Sequence, residues 1–250
     1  AKALDYYLQS LTLAEKTGDK LRILTALNNI GGVYDNKSAT KDKALSYFLR
    51  ALPLCEQMDD KEALGTTAVN IGETYFELNN DSLALVYFNK SEKAYKSPYV
   101  YNAIGKVYFK KGQYSNAISY HKRALSMAEK LQVNQEIVQS LIGLGKAYVQ
   151  YGDMSRALSY LKRSENIATQ YKFTKELKDI YQEMATSYSK TNDYKNAFLY
   201  QTRFASIKDT LYNIETDKKL GGLQFDFELL KKEGEINLLT KDKELKESAI

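Results

Sequence analysis

The sequence predicts an all-α solenoid, a stack of helical pairs that passes into a long C-terminal helix. Three observations predict it. Five blocks along the chain match one another: LNNIGGVY (27–34), AVNIGETY (68–75), YNAIGKVY (101–108), LIGLGKAY (141–148) and YQEMATSY (181–188). Each is followed by a second recurring block that opens Ala-(Leu/Ile/Phe)-x-Tyr. Across 250 residues there are only two prolines and thirteen glycines, so loops must be short, and strand-type alternation of apolar residues is hard to find. Recurrence at a fixed spacing marks one supersecondary unit stacked many times, which suits a binding surface better than a catalytic centre.

The first block supplies the first helix of each pair. An aliphatic residue (Ile30, Ile71, Ile104, Leu144, Met184) precedes a small one (Gly31, Gly72, Gly105, Gly145, Ala185), and a tyrosine follows three positions later (Tyr34, Tyr75, Tyr108, Tyr148, Tyr188). Glycine inside a helix costs roughly 0.5 to 1 kcal/mol relative to alanine, so its recurrence requires compensation by close approach of a neighbouring helix. The second block supplies the partner helix, with Ala3, Ala44, Ala84, Ala117, Ala157 and Ala197 each followed by a tyrosine three residues on. Another small residue stands seven after the alanine in Ser10, Ala51, Ser91, Ala124 and Ser164, leaving a seam for the first helix. Asn79, Gly112, Gly152 and Asn192 close the turn between the two helices, being residues that tolerate the left-handed conformation. The first pair has an extra residue there, within 35–43, and a bulged turn is expected. Pro53 falls inside a second helix, where it removes a donor and should kink the chain near Leu49, whereas Pro98 opens a first helix.

Aliphatic-Gly-x-x-Tyr followed by Ala and an aromatic resembles the tetratricopeptide repeat family over about residues 1–205, as one lone second helix plus five helical pairs. The resemblance implies a right-handed α-α superhelix. Alanine-to-alanine intervals are 41, 40, 33, 40 and 40, longer than the family's 34, so most helices should gain about a turn. The family's Trp position is held by Leu27, Ala68, Tyr101, Leu141 and Tyr181, which alters packing and not the fold. The fifth pair is the least regular, carrying Met184, Ala185, Gln201 and Phe204, as a terminal repeat often does, and is expected to dock the tail.

Little else in the chain carries chemistry. Cys55 is the single cysteine, so no internal disulfide forms, and it reads as a buried thiol. His121, the single histidine, takes the position held by Phe48, Phe88 and Leu161, a packing position rather than a metal or general-base site. Gly143, Gly145 and Lys146 imitate a phosphate loop, but the pattern needs Gly at Ser140 and a hydroxyl at Ala147. No cofactor, metal or catalytic group is expected in this segment. The net charge of +5 is dispersed among acidic residues without Arg clusters, which argues against a nucleic-acid partner, and no apolar stretch approaches the roughly 18 residues of a membrane span.

In tetratricopeptide proteins the first helices line the concave face, so the resemblance nominates a groove of Asn28, Glu73, Phe76, Asn102, Lys106, Phe109, Ile142, Lys146 and Val149, with Gly32, Asp35, Val69, Gln182, Thr186 and Ser189 at its ends. Apolar walls beside Lys106 and Lys146 suit an extended peptide or protein segment with an acidic group. The family's carboxylate clamp for chaperone tails is not matched, because no Arg stands at an inner position.

Residues 206–250 form the second unit, with eight Lys against ten Asp plus Glu. Leu220, Leu223, Phe227, Leu230, Gly234, Leu238, Lys241 and Leu245 are spaced by threes and fours, a heptad stripe with one stutter that suits a modest coiled coil and a homodimer. The bland reading folds 206–225 back as a cap on the last repeat. Extended repeats passing into a Lys/Glu-rich, ELKE-like helix resemble the sensor region of bacterial membrane-bound two-component histidine kinases. That resemblance implies a non-enzymatic, periplasmic segment excised from a longer inner-membrane protein, which has its kinase in a domain beyond this chain. The alternatives are a soluble, cytoplasmic scaffold or peptide receptor and the sensor of a membrane-tethered transcriptional regulator.

Overall fold

The computed structural model describes the backbone of residues 2–36 and 38–248, and side chains as far as residue 227 except those of 2, 37, 218, 222 and 224–226. Among these, eleven α-helices follow one another with no strand: α1 (Lys2–Thr17), α2 (Lys20–Asp35), α3 (Lys41–Gln57), α4 (Lys61–Glu77), α5 (Asp81–Ala94), α6 (Pro98–Lys110), α7 (Tyr114–Leu131), α8 (Asn134–Tyr151), α9 (Met154–Gln170), α10 (Thr174–Lys190) and α11 (Tyr194–Ser248). The even-numbered helices are the first members of the pairs, and α1 is the lone second helix. Most run 16 to 18 residues, whereas α5 and α6, which span the short interval, have only 14 and 13.

Helix ends are fixed by local chemistry. Asp19, Asp60, Asn80, Ser97 and Asp153 each accept a backbone N–H three residues on and cap α2, α4, α5, α6 and α9, with Pro98 in the first turn of α6. The turns inside pairs place Asn79, Gly112, Gly152 and Asn192 at positive φ, as their residue types require. Asp59, Gln132 and Lys172 do the same between pairs, without a residue type that announces it. The longer first turn is filled by a 3-10 turn, Ser38–Thr40. α3 runs as one helix through Pro53.

The core is built by the recurrent residues. Gly31, Gly72, Gly105 and Gly145 are buried, and a Cβ on them would strike Phe48, Phe88, His121 and Leu161 respectively, so the missing side chain of the first helix houses the large one of the second. Beside this contact the two tyrosines of every pair stack: Tyr34–Tyr47, Tyr75–Tyr87, Tyr108–Tyr120, Tyr148–Tyr160 and Tyr188–Tyr200 have ring centroids 5.4 to 5.7 Å apart and planes within 20°. Such pairs contribute about 0.5 to 1.5 kcal/mol each beyond area burial. Ala44, Ala84, Ala117 and Ala157 are fully buried in the seam, and Cys55 lies in the core between Ala51 and Thr67.

First helices touch the next first helix, α2 to α4, α4 to α6, α6 to α8 and α8 to α10, while no two second helices approach so closely among the described residues. The stack therefore curves with the first helices on the inside. Across the outside, Arg50–Glu15, Lys90–Glu56, Arg123–Glu92, Arg163–Glu129 and Arg203–Glu165 join successive second helices at 2.5 to 3.0 Å. Each is partly exposed and contributes little alone, but a basic residue recurs six positions after the alanine of every block except the first, where Gln9 stands.

The tail differs from the cap expected for 206–225. α11 is one 55-residue helix that serves as the second helix of pair five and continues without a break, packing chiefly on α10 and bonding to Glu165 of α9 through Tyr200 and Arg203. The 205/206 boundary falls inside it. Leu220, Leu223 and Phe227 are exposed, while Leu230, Gly234, Leu238, Lys241 and Leu245 lie outside the described side chains. No described helix is long and apolar enough to cross a membrane.

Candidate binding groove

On the inner face, α4, α6, α8 and α10 enclose a cavity of about 370 Å³. Its apolar walls are Phe76, Phe109 and Ile142, its cations are Lys106, Lys110 and Lys146, and Asp179 stands at one edge. Lys110 bonds Asp81 at 2.7 Å and lies 4.9 Å over the Phe76 ring, while Lys146 reaches Glu183 only at 3.8 Å. Lys106 is exposed and makes no ion pair or hydrogen bond among the described residues. A smaller cavity of about 220 Å³ adjoins it, sharing Lys106 and Gln139 and adding Glu73, Tyr99 and Glu136. Burial raises the Glu73 carboxyl above its ordinary range, opposed by a hydrogen bond from the Tyr99 hydroxyl and by the Lys106 charge. The groove thus has an anion-accepting side over the apolar walls and an acidic side next to it.

Of the nominated residues, the structure brings Phe76, Lys106, Phe109, Ile142 and Lys146 to one cavity and puts Glu73 and Asn102 at its neighbour. Four of the nine sit otherwise than a freely offered groove side chain would. Asn102 is 3% exposed, with Nδ2 donating to Glu136 at 3.1 Å and Ser140 at 3.0 Å while Oδ1 faces His121 Nδ1 at 2.9 Å. Asn28 donates to Thr67 at 3.1 Å, the same link one end of the stack earlier, at a separate shallow cavity. Both asparagines staple one first helix to the next, because a polar group buried between helices must find an internal partner. Val149 is buried among the α7–α9 core residues, and Ile142 offers the cavity only a small part of a buried side chain. Inward position on a helix does not ensure exposure where first helices touch.

Sequence reasoning missed Lys110, Gln139, Asp179, Tyr99 and, above all, His121 as cavity residues. His121 comes from the second helix α7, yet its ring reaches the cavity. The passage exists because two first helices lack a side chain there: a Cβ on Gly105 would come 2.7 Å from His121 Cε1, and one on Gly143 would come 2.5 Å from it. The readable signal is Gly143 itself, since the other pairs have Asn29, Asn70, Ala103 and Glu183 at that position. Burial, with the nearby charges of Lys106 and Lys146, pushes the imidazole down to about 3, so it is neutral. Its role is otherwise the packing one expected of it.

The tetratricopeptide repeat family matches residues 98–170. No curated protein matches by sequence. Among solved structures, BtubC (BKLC) from P. vanneervenii superposes with a TM-score of 0.73 at 15% identity, covering 84% of this chain and 91% of that one. A signal transduction ATPase with numerous domains and a tetratricopeptide repeat sensor, from Pyrococcus horikoshii, gives 0.70 at 16% over 86% of this chain and 34% of its own. A Rap protein complexed with competence and sporulation factor gives 0.62 at 17%, over 84% of this chain and 59% of its own. At these identities the likeness is one of fold, and the chain spans only part of the last two. Residues 98–170, which hold most of the groove, match the tetratricopeptide repeat family by sequence, and they are set in a solenoid whose first two pairs repeat the same glycine and tyrosine contacts and whose fifth repeats the tyrosine contact with Ala185 in place of the glycine.

Proposed function

We propose that this chain is the ligand-binding sensor segment of a signal-transduction protein, and that it grips an extended acidic peptide or protein segment along α4, α6, α8 and α10. The observation that carries this reading is Lys106: a cation that makes no ion pair or hydrogen bond among the described residues, beside Lys146 and above apolar walls, has charge to offer a ligand even though Glu73 feels part of it. An anionic group would sit between the two lysines and an apolar side chain on Phe76 and Phe109. Support of a general kind comes from the fold neighbours, one crystallised with competence and sporulation factor and one described as having a repeat sensor.

In the finer reading, the segment is the periplasmic sensor of a membrane-anchored histidine kinase, dimerised through the exposed stripe of α11. Ligand binding would change solenoid curvature and the continuous helix would relay it, because α10 lines the groove end and α11 packs on α10. Such a ligand biases the output only through unequal affinity for two states. A soluble scaffold or peptide receptor is the competing reading.

The test is a screen of blocked hexapeptides with either acidic or basic centres against the whole chain. Acidic peptides should bind and basic ones should not, with Lys106→Glu weakening the acidic binders about tenfold. Equal binding of both classes, or of neither, defeats the proposal. For the relay, hydrogen exchange in α11 of the full-length dimer should change at saturation; unchanged protection leaves the scaffold.

A further inference from the structure

Around His121, hydrogen-bond roles are fixed by elimination. The Glu136 carboxylate only accepts, so the Asn102 group facing it is Nδ2, which donates. The Ser140 hydroxyl donates to the Glu136 backbone carbonyl at 2.7 Å, so it too accepts from Asn102 Nδ2. Asn102 Oδ1 is left facing His121 Nδ1 at 2.9 Å, and an amide oxygen can only accept, so Nδ1 carries the proton. A neutral imidazole has one N–H, and Nε2 is therefore a bare acceptor.

That acceptor has no partner among the described residues, although the side chain is only 2% exposed. It is not sealed in the core, for no buried side-chain nitrogen or oxygen is left without a hydrogen bond among the described residues, and His121 lines the α6–α8 cavity. The two glycines that flank the ring, Gly105 and Gly143, leave Nε2 as the polar atom at the cavity floor, with Lys106 and Lys146 at its rim. Pairs one and two carry Phe48 and Phe88 at this position, and pair four carries Leu161, so nothing in the packing demands an imidazole.

We propose that His121 Nε2 is a recognition atom, which accepts a hydrogen bond from a backbone N–H of an extended peptide whose neighbouring acidic side chain lies at Lys106 and Lys146. This rests on the peptide-groove reading above and adds the donor that the ligand must present. A free anion such as phosphate supplies the negative charge without a geometrically fixed N–H, and an aliphatic segment supplies neither. The floor atom therefore selects peptide backbone over small anions, while the lysines select its charge.

The experiment uses the best acidic hexapeptide from the screen, together with a series in which each backbone N–H in turn is replaced by an ester oxygen. His121→Phe reproduces the residue of pairs one and two while leaving Asn102 Oδ1 without its partner, so a melting curve first verifies that the variant is folded at the assay temperature. One ester analogue should bind the wild type about tenfold less tightly, the size of one uncharged hydrogen bond, and should lose nothing further with His121→Phe. Because His121 is the single histidine, 15N labelling gives one pair of ring signals, and the Nε2 signal should move on binding. If acidic peptides bind through the lysines but no ester weakens them and Nε2 stays still, this inference falls and the groove reading stands. Lack of any acidic binder overturns both.

Discussion

A Cβ placed on Gly31 would enter the ring of Phe48, whereas one placed on the next residue, Gly32, would meet nothing within 4 Å. Adjacent glycines of one helix thus do opposite things. Gly31→Ala should cost about 1 to 3 kcal/mol through overpacking, and Gly32→Ala should gain about 0.5 to 1 kcal/mol by restricting the unfolded chain. Urea midpoints of the two variants are the check. A shift in the same direction would remove close approach as the reason for the recurrent glycine.

The fold was legible for that reason: glycine in a helix needs a cause, and the cause repeats with a tyrosine partner at constant spacing. The groove was legible only in part. Periodicity locates an inward-pointing residue, but whether it is offered to a ligand depends on how its neighbours close over it: Asn28 and Asn102 are taken up by bonds to the next first helix, and Val149 is buried in the core of α7–α9. His121 escaped because its access runs between two helices, through a glycine in a different repeat. The salt-bridge ladder of Arg50, Lys90, Arg123, Arg163 and Arg203 joins residues 31 to 38 positions apart, beyond the reach of any local pattern.

Asn102 should behave as a structural residue. Asn102→Leu leaves the His121 N–H and the Ser140 hydroxyl without their partner, a loss of about 2 to 4 kcal/mol. Its melting temperature should fall by more than that of Asn28→Leu, whose bonds go to Thr67 alone and from a half-exposed position. Equal, small shifts would show that the network around Asn102 is not held in solution.

Acid should weaken the fold through His121. Burial first, and then Lys106 and Lys146, hold its pKa near 3 against an ordinary value of 6.5. Between those values the unfolded chain takes up a proton that the folded chain refuses. The stabilisation is therefore complete above pH 6.5 and drains away as pH falls, by about 2 to 3 kcal/mol down to pH 4.5. Glu73 and Glu183 act the other way, since burial raises both carboxyls and the folded state takes their protons first as pH drops. His121→Phe should flatten the acid limb of a stability-against-pH curve measured by urea unfolding. An unchanged slope would show that the ring is protonated in the folded protein.

Charge at the groove should matter to binding and hardly to stability. Lys106 makes no ion pair or hydrogen bond among the described residues, although Glu73 feels its charge, and Lys146 has only a 3.8 Å contact with Glu183, so Lys106→Ala should leave the melting temperature within about a degree or two of the wild type. Lys146→Ala is the better partner variant, because a new acid there would face Glu183. Together they should weaken acidic peptides by about a hundredfold, and rising salt should shrink the difference. Undiminished affinity in the double variant would move the site elsewhere.

The exposed stripe of α11 should drive self-association. Leu220, Leu223 and Phe227 are 53, 66 and 70% exposed and follow the three-four spacing at which a second helix can pack. Three large apolar side chains exposed in a line on α11, whose contacts among the described residues are with α10 and with Glu165 of α9, are poorly placed in water, and the symmetric partner most readily at hand is the same helix of a second copy. Leu223→Glu with Phe227→Glu would put like charges at the centre of such a seam. Sedimentation equilibrium should give a concentration-dependent dimer for the wild type and a monomer for the variant, with the melting temperature of the repeats unchanged. A wild-type chain that stays monomeric at hundreds of micromolar would leave the stripe to a different partner and detach the relay from dimer geometry.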